Sequence, residues 1–234
     1  MGRAVSRAAS TAGLDIVAAV GGSSHLGEDA MVLAGLSPSE VRVLTAPAGG
    51  VHVDVWIDFA PAVGLEMRAE YIAKSGAAWV CGSTGLSDAQ LRVLDAAAAQ
   101  TPVVWEPNFS VGIYVLSQLV QRAAAALGTA FDVEVVEAHH GAKRDAPSGT
   151  AKRLAEASGR AVVPLHALRG GDVIGDHSVH FMGFGERLEL SHRATDRDLF
   201  ARGAVRAALW TAGRGAGRYG LADVLGDVNA GVPG

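Results

Sequence analysis

Short β-rich apolar runs alternate along the first half of the chain with longer, alanine-rich stretches at helical spacing. Val53 to Phe59 predicts a strand ended by Pro61, and residues 63–75 a helix closed by Gly76. Ala77 to Cys81 predicts a short buried strand running into the turn Gly82-Ser83-Thr84-Gly85. Ser87 caps a helix through about Ala99, Pro102 to Trp105 form the next strand, and residues 110–127 the next helix. Strands alternating with long helices imply βαβ units and a parallel sheet covered on both faces.

The pattern changes after Gly128. Phe131 to Ala138 predicts a strand and residues 148–157 a helix. Two strands then follow closely, His177 to Met182 and Arg187 to His192, before a helix over about 197–212. Neighbouring strands without a helix between them suggest a more open, partly antiparallel sheet. The expected fold is α/β: a parallel-sheet domain over residues 1–110, joined by the returning tail 211–234, and an α+β domain with an open mixed sheet over 111–210.

The amino terminus carries two misleading patterns. Met1-Gly2-Arg3-Ala4-Val5-Ser6 matches a myristoylation motif, and the first fourteen residues hold arginines but no acid, as in a transit peptide. An amphipathic helix over residues 2–11, ending before Gly13 and leading into the apolar run Leu14 to Val20, is the simpler reading.

Composition narrows the function classes. The chain has 234 residues, 49% hydrophobic and 19% charged, enough apolar material for a real core. Its 20 basic residues against 24 acids leave no cationic excess for nonspecific nucleic-acid binding. No apolar run reaches the roughly 20 residues of a membrane helix. The one cysteine, Cys81, rules out an internal disulfide and fits a reducing, cytoplasmic setting.

The densest group of reactive side chains is Glu137-Ala138-His139-His140-Gly141-Ala142-Lys143-Arg144-Asp145-Ala146-Pro147-Ser148-Gly149-Thr150. Two histidines and a lysine end a strand, and Pro147-Ser148 start a helix. The amides of Ser148, Gly149 and Thr150 should point out of that helix start, with the macrodipole behind them, toward a carboxylate or phosphate. A histidine beside such a cradle can donate a proton near neutral pH.

Residues 137–151, Glu-x-His-His-x-x-Lys-x-Asp-Ala-Pro-Ser-Gly-Thr-Ala, resemble the signature of the 4-hydroxy-tetrahydrodipicolinate (dihydrodipicolinate) reductase family. The resemblance continues in Asp58-Phe59, Gly82 to Gly85, Asn108 to Gly112, Gly185 to His192 and Gly203 to Trp210. It implies an NAD(P)H-dependent oxidoreductase of lysine biosynthesis through diaminopimelate, with a Rossmann-like dinucleotide-binding domain and a second domain for substrate and tetramerisation. It further implies His139 as proton donor with Lys143 as its catalytic companion. His140, Ser148, Gly149 and Thr150 would hold a cyclic dicarboxylate. Gly82, Ser83 and Thr84 would meet the nicotinamide end of NADH or NADPH, with Glu106, Pro107, Asn108 and Phe109 doing so from the other side. The resemblance points to a homotetramer.

The chain departs from that pattern in four places. The family opens with a strand and a G-x-x-G-x-M-G turn, of which only Met1-Gly2 stand here. A lobe without its central strand is expected to leave two neighbours unpaired and its core uncovered. The expectation is that the missing part is encoded upstream of Met1, with a genuine loss of cofactor binding as the rival. Val20 is followed by Gly21-Gly22-Ser23-Ser24, without the acid that favours NAD, so the nucleotide stays NAD or NADP. Pro107 and Tyr114 stand where alanine and asparagine are usual, and the stretch 157–172 is short.

Other features read as structural. His177 and His180 alternate across a strand and cannot share a metal, and His192 adds no recognisable ligand spacing. Cys81 and the tryptophans Trp56, Trp79, Trp105 and Trp210 read as packing. Besides the reductase, two readings stay open: a noncatalytic dicarboxylate-binding homologue, and a relative acting on another cyclic imine.

Overall fold

A computed structural model describes residues 1–47 and 50–226, so residues 227–234 of the expected returning tail lie outside the described residues. The chain divides into two compact units, Met1–Phe109 with Phe200 onward, and Ser110–Leu199. The second crossing falls inside the last long helix at Phe200, ahead of the expected Thr211, because that helix runs on as one element past the crossing.

Unit 1 opens with α1 (Gly2–Thr11), the helix expected over residues 2–11. It continues through β1 (Ala19–Val20), a short α2 (Ala30–Leu33), β2 (Val43–Leu44), β3 (Val55–Asp58), α3 (Leu65–Ser75), β4 (Ala78–Cys81), α4 (Asp88–Ala98) and β5 (Pro102–Trp105). Ser87 starts α4 with a reciprocal capping box to Gln90, and Gly76 ends α3 in the left-handed conformation. After unit 2 the chain returns through the later part of α7 (Asp198–Thr211), β10 (Gly217–Tyr219) and α8 (Leu221–Leu225). Two parallel sheets result, β1-β2 and β10-β5-β4-β3. Among the described residues β1 and β3 each pair on one side only, and both line a cavity of about 1790 Å³ with the start of α1. Leu65, Ile72, Trp79, Leu94 and Val103 form the core of the larger sheet.

Unit 2 contains α5 (Val111–Leu127), β6 (Asp132–His139), α6 (Gly149–Ala157), β7 (Leu165–Arg169), β8 (Gly175–Met182) and β9 (Arg187–Ala194). Its sheet order is β7-β6-β8-β9, parallel between β6 and β7 and antiparallel elsewhere, so the sheet is mixed as expected. The buried positions of α5, Ile113, Leu116, Val120 and Ala124, recur at helical spacing. They pack with Leu154 of α6 on Val133, Val135, Val179 and Phe181, while the alternate side chains of β6 and β8 stay partly open. The strand β7 falls inside the stretch 157–172, which carries no apolar alternation to announce it.

Candidate active site

Strand pairing brings the reactive residues of unit 2 together. Glu137 and His139 lie two apart on β6, so both face the covered side of the sheet. In register, His177 of β8 stands opposite Glu137, and Arg169 of β7 opposite His139. Four polar side chains from three adjacent strands therefore share one face, beside the loop 140–148 and the start of α6.

Glu137 is the hub, at 1% exposure. Its Oε2 accepts from His139 Nδ1, and its Oε1 accepts from the Ser148 amide at 3.0 Å. Arg169 donates to both oxygens, at 2.8 and 2.7 Å. Burial alone would raise the Glu137 carboxyl, but the Arg169, His139 and Ser148 hydrogen bonds hold it below its ordinary value. With Nδ1 donating to Glu137, the His139 ring keeps Nε2 for chemistry, and Nε2 has no protein partner among the described residues. A Cβ on Gly175 would stand 3.1 Å from that nitrogen, so the glycine leaves room there. Burial, with help from Lys143 and Arg169, lowers the proton affinity of His139 even against the pull of Glu137.

Ser148 is committed on both its groups. Its amide goes to Glu137, and its Oγ caps α6 by accepting from Ala151 at 3.1 Å and lies 3.2 Å from His177 Nε2. Oγ and His177 Nε2 share one hydrogen bond, its direction set by the His177 tautomer. The expected cradle of Ser148, Gly149 and Thr150 differs at its first amide, which is turned inward to Glu137. Nothing lies within 4 Å of a Cβ built on Gly149, leaving that side open for close approach. Lys143 Nζ reaches Asp145 Oδ1 at 2.8 Å, and the His140 carbonyl accepts from the Lys143 amide at 3.1 Å.

His177, read from the sequence as structural, belongs to this cluster. It is 4% exposed, its ring lies edge-on to His139 at 5.2 Å, and burial, aided by the neighbouring His139, holds its pKa down to about 4. It is therefore neutral at physiological pH. His192, opposite His177 on β9, lies 3.4 Å from Ser110 Oγ through Nε2, and its ring occupies the space a side chain on Gly112 would need. His180 faces the other way, toward Glu189. Arg169 was not singled out from the sequence and His177 was not joined to this site, because only cross-strand register connects them to residues 137–150.

In unit 1 the turn Gly82–Gly85 leaves the end of β4. A Cβ on Gly82 would overlap the Phe59 ring, which in turn packs edge-on against Phe109. Ser83 is 1% exposed, donates to the Ala60 carbonyl at 2.7 Å, and its own carbonyl accepts from Trp105 Nε1 at 3.1 Å. Arg68 pairs with Asp58 at 2.7 Å and donates to the Pro61 and Val63 carbonyls. Thr84 stays exposed, Phe109 is buried, and Glu106 Oε2 accepts from the Leu221 amide at 3.3 Å. Burial pushes the Cys81 thiol up to about 11, leaving it an inert core residue.

The unit also carries features that suit a dinucleotide. Gly21-Gly22 after β1, Asp58 to Ala60 after β3 and the first residues of α1 all line the one cavity. Strand carboxyl ends beside the start of a helix are the surroundings a pyrophosphate takes up.

Comparison with known proteins agrees over most of the chain. The family model described as "Dihydrodipicolinate reductase, N-terminus" matches residues 1–109, and "Dihydrodipicolinate reductase, C-terminus" matches 112–225. A 4-hydroxy-tetrahydrodipicolinate reductase of Anaeromyxobacter sp. (strain Fw109-5) is 48% identical over 93% of this chain and 90% of its own. That of Acinetobacter baumannii (strain ACICU) is 41% identical over 97% of this chain and 92% of its own. The solved dihydrodipicolinate reductase of Paenisporosarcina sp. TG-14, bound to dipicolinate, shares the fold. It has a TM-score of 0.73 at 22% identity, over 94% of this chain and 93% of that one.

Proposed function

The chain belongs to the 4-hydroxy-tetrahydrodipicolinate reductase family and is an NAD(P)-dependent oxidoreductase of that kind, and from this premise we propose how its own residues divide the reaction. Converting 4-hydroxy-tetrahydrodipicolinate to tetrahydrodipicolinate replaces a hydroxyl by hydrogen, so one hydride and one proton enter and one water leaves. The nicotinamide cofactor, when bound, supplies the hydride. His139 supplies the proton from Nε2, and the observation that carries this role is its Nδ1 contact to the buried Glu137. Lys143 and His140 stand on the same loop, and Gly149 with Thr150 at the start of α6, to hold the two substrate carboxylates. In the free site His139 is kept neutral by burial. A bound dicarboxylate brings negative charge and favours the imidazolium, so the residue charges when there is something to protonate.

Gly82, Ser83 and Thr84, with Glu106, Pro107, Asn108 and Phe109, are the nucleotide-facing residues in this reading. Ser83 acts through its backbone, its hydroxyl being held by Ala60, and Phe109 as the packing that fixes the Gly82 turn through Phe59. Met1–Phe109 with the returning segment is the dinucleotide-binding domain, and Ser110–Leu199 the substrate domain.

The assembly is a homotetramer closed on the open sheet face of unit 2, where Leu168 is exposed opposite Ala138 and Phe184 is bare at the β8–β9 turn. Light scattering on a sizing column checks it, and a monomer would sink it. No helix of the described residues is long and apolar enough to cross a membrane. A cytoplasmic place suits the one buried thiol.

His139→Gln should lower kcat by roughly 10²- to 10⁴-fold, the span of a lost general acid, with the circular dichroism spectrum and nucleotide affinity unchanged. Turnover equal to wild type would refute the proton-donor role.

A further inference from the structure

Arg169 is the one strong cation in the buried cluster that the proposed reaction does not use. Its Nη1 donates to Glu137 Oε2, and its Nη2 donates both to Glu137 Oε1 and, at 2.6 Å, to the carbonyl of Asp145. One guanidinium thus joins β7, β6 and the loop that carries Lys143. Glu137 receives four donor contacts in all: two from Arg169, one from His139 and one from the Ser148 amide. A carboxylate buried this deeply with only His139 and Ser148 for company would be under-compensated. It would draw the imidazole proton to itself or take up a proton of its own. With the fork of Arg169 in place its charge is shared, so it can orient the ring without holding the proton.

We propose that Arg169 is a positioning residue for His139. It locks the Glu137 carboxylate so that one oxygen fixes the imidazole ring and the other anchors the start of α6, and it ties the Lys143 loop to the same point. The proton donor and the anion cradle are thereby set by one rigid unit. This rests on the reading of His139 as the proton donor. The groups acting on His139 are Glu137 on its own strand, Arg169 on β7, His177 on β8 and Lys143 on the loop, with Asp145 paired to Lys143 and Ser148 to Glu137.

The test compares Arg169→Met, Arg169→Lys and His139→Gln in the full chain, measuring kcat and KM from about pH 5 to 9. Arg169→Met should lower kcat on the order of 10- to 100-fold, the loss typical when the partner orienting a functional histidine is removed. The KM for nucleotide should stay unchanged. The basic limb of the kcat profile should move upward, because a nearby positive charge that disfavours the imidazolium has gone. Arg169→Lys keeps the charge but not the fork, so it should leave the limb in place while recovering only part of kcat. A reduced kcat in His139→Gln with an unmoved limb in Arg169→Met would overturn this proposal alone. Wild-type turnover in His139→Gln would overturn the proton-donor reading and this proposal with it. Should Arg169→Met not fold, ¹⁵N spectra of the imidazoles carry the test. The wild type should hold His139 in the single Nδ1–H form and Arg169→Lys should populate both tautomers, whereas one form in both proteins would overturn the proposal.

Discussion

The two units hold their functional residues by different means. In unit 2 the cluster is fixed by strand register: Glu137 pairs with His177 and His139 with Arg169 across adjacent strands. In unit 1 the residues proposed to face the nucleotide sit in turns at strand ends, held by single hydrogen bonds such as Ser83 to Ala60 and Trp105 to Ser83. The sheet of unit 2 is continuous over four strands, whereas the parallel strands of unit 1 form two separate sheets beside a cavity. A site written into sheet register is as rigid as the sheet, and one written into turns depends on what packs around them.

The largest effects come from the two cores. Leu94→Ala in unit 1 and Leu154→Ala in unit 2 should each cost about 2–5 kcal/mol. All four tryptophans lie in unit 1, so their fluorescence reports that unit while far-ultraviolet circular dichroism reports both. Leu94→Ala should shift the fluorescence midpoint in urea more than the dichroism midpoint, and Leu154→Ala the reverse. Coincident shifts in both variants would break the distinction between the units.

Acid should then strain unit 2 through His177. Its proton affinity is lowered in the fold to about 4, so the unfolded chain takes up the proton first as pH falls. The stability this represents, about 3 kcal/mol, is fully present above the unfolded pKa near 6.5 and is lost as pH falls toward 4. His177→Gln should show a flatter urea midpoint between pH 7 and 4, and equal slopes would count against a neutral, buried His177.

Gly203→Ala probes unit 1, where a Cβ would run into the Phe109 carbonyl. Overpacking of that kind costs about 1–3 kcal/mol, readable in the fluorescence transition. The smallest effect is expected from Gly175→Ala, whose methyl presses on His139 Nε2. A displacement of a few tenths of an ångström should lower kcat roughly tenfold and leave nucleotide affinity alone. An unchanged kcat would show that this side of the ring is not the working side.

The legible parts of the sequence were those with a local signal. The helix Gly2–Thr11, the Ser87 cap and the strand Pro102–Trp105 each carry their own periodicity or stop residue. The strands Val43–Leu44, Leu165–Arg169 and Gly217–Tyr219 went unread because they are short, polar or glycine-bearing and exist through their neighbours. The site divides the same way. His139, His140, Lys143 and Ser148 fall within one contiguous run, while Arg169 and His177 arrive from other strands. The inward turn of the Ser148 amide was hidden for the same reason, since local helix rules do not reveal a carboxylate on the preceding strand competing for it.

The one-sided pairing of β3 also bears on how the molecule behaves in concentrated solution. Among the described residues Val55 to Asp58 pair on one side only, leaving a row of amides and carbonyls to any other chain that can lie alongside, with the exposed Asp54 as the charge that discourages it, Asp58 being paired to Arg68. Self-association by strand addition should therefore begin here, appearing in the infrared amide I band as intermolecular β-structure that grows with protein concentration. Replacing Ile57 by proline on that edge should suppress it.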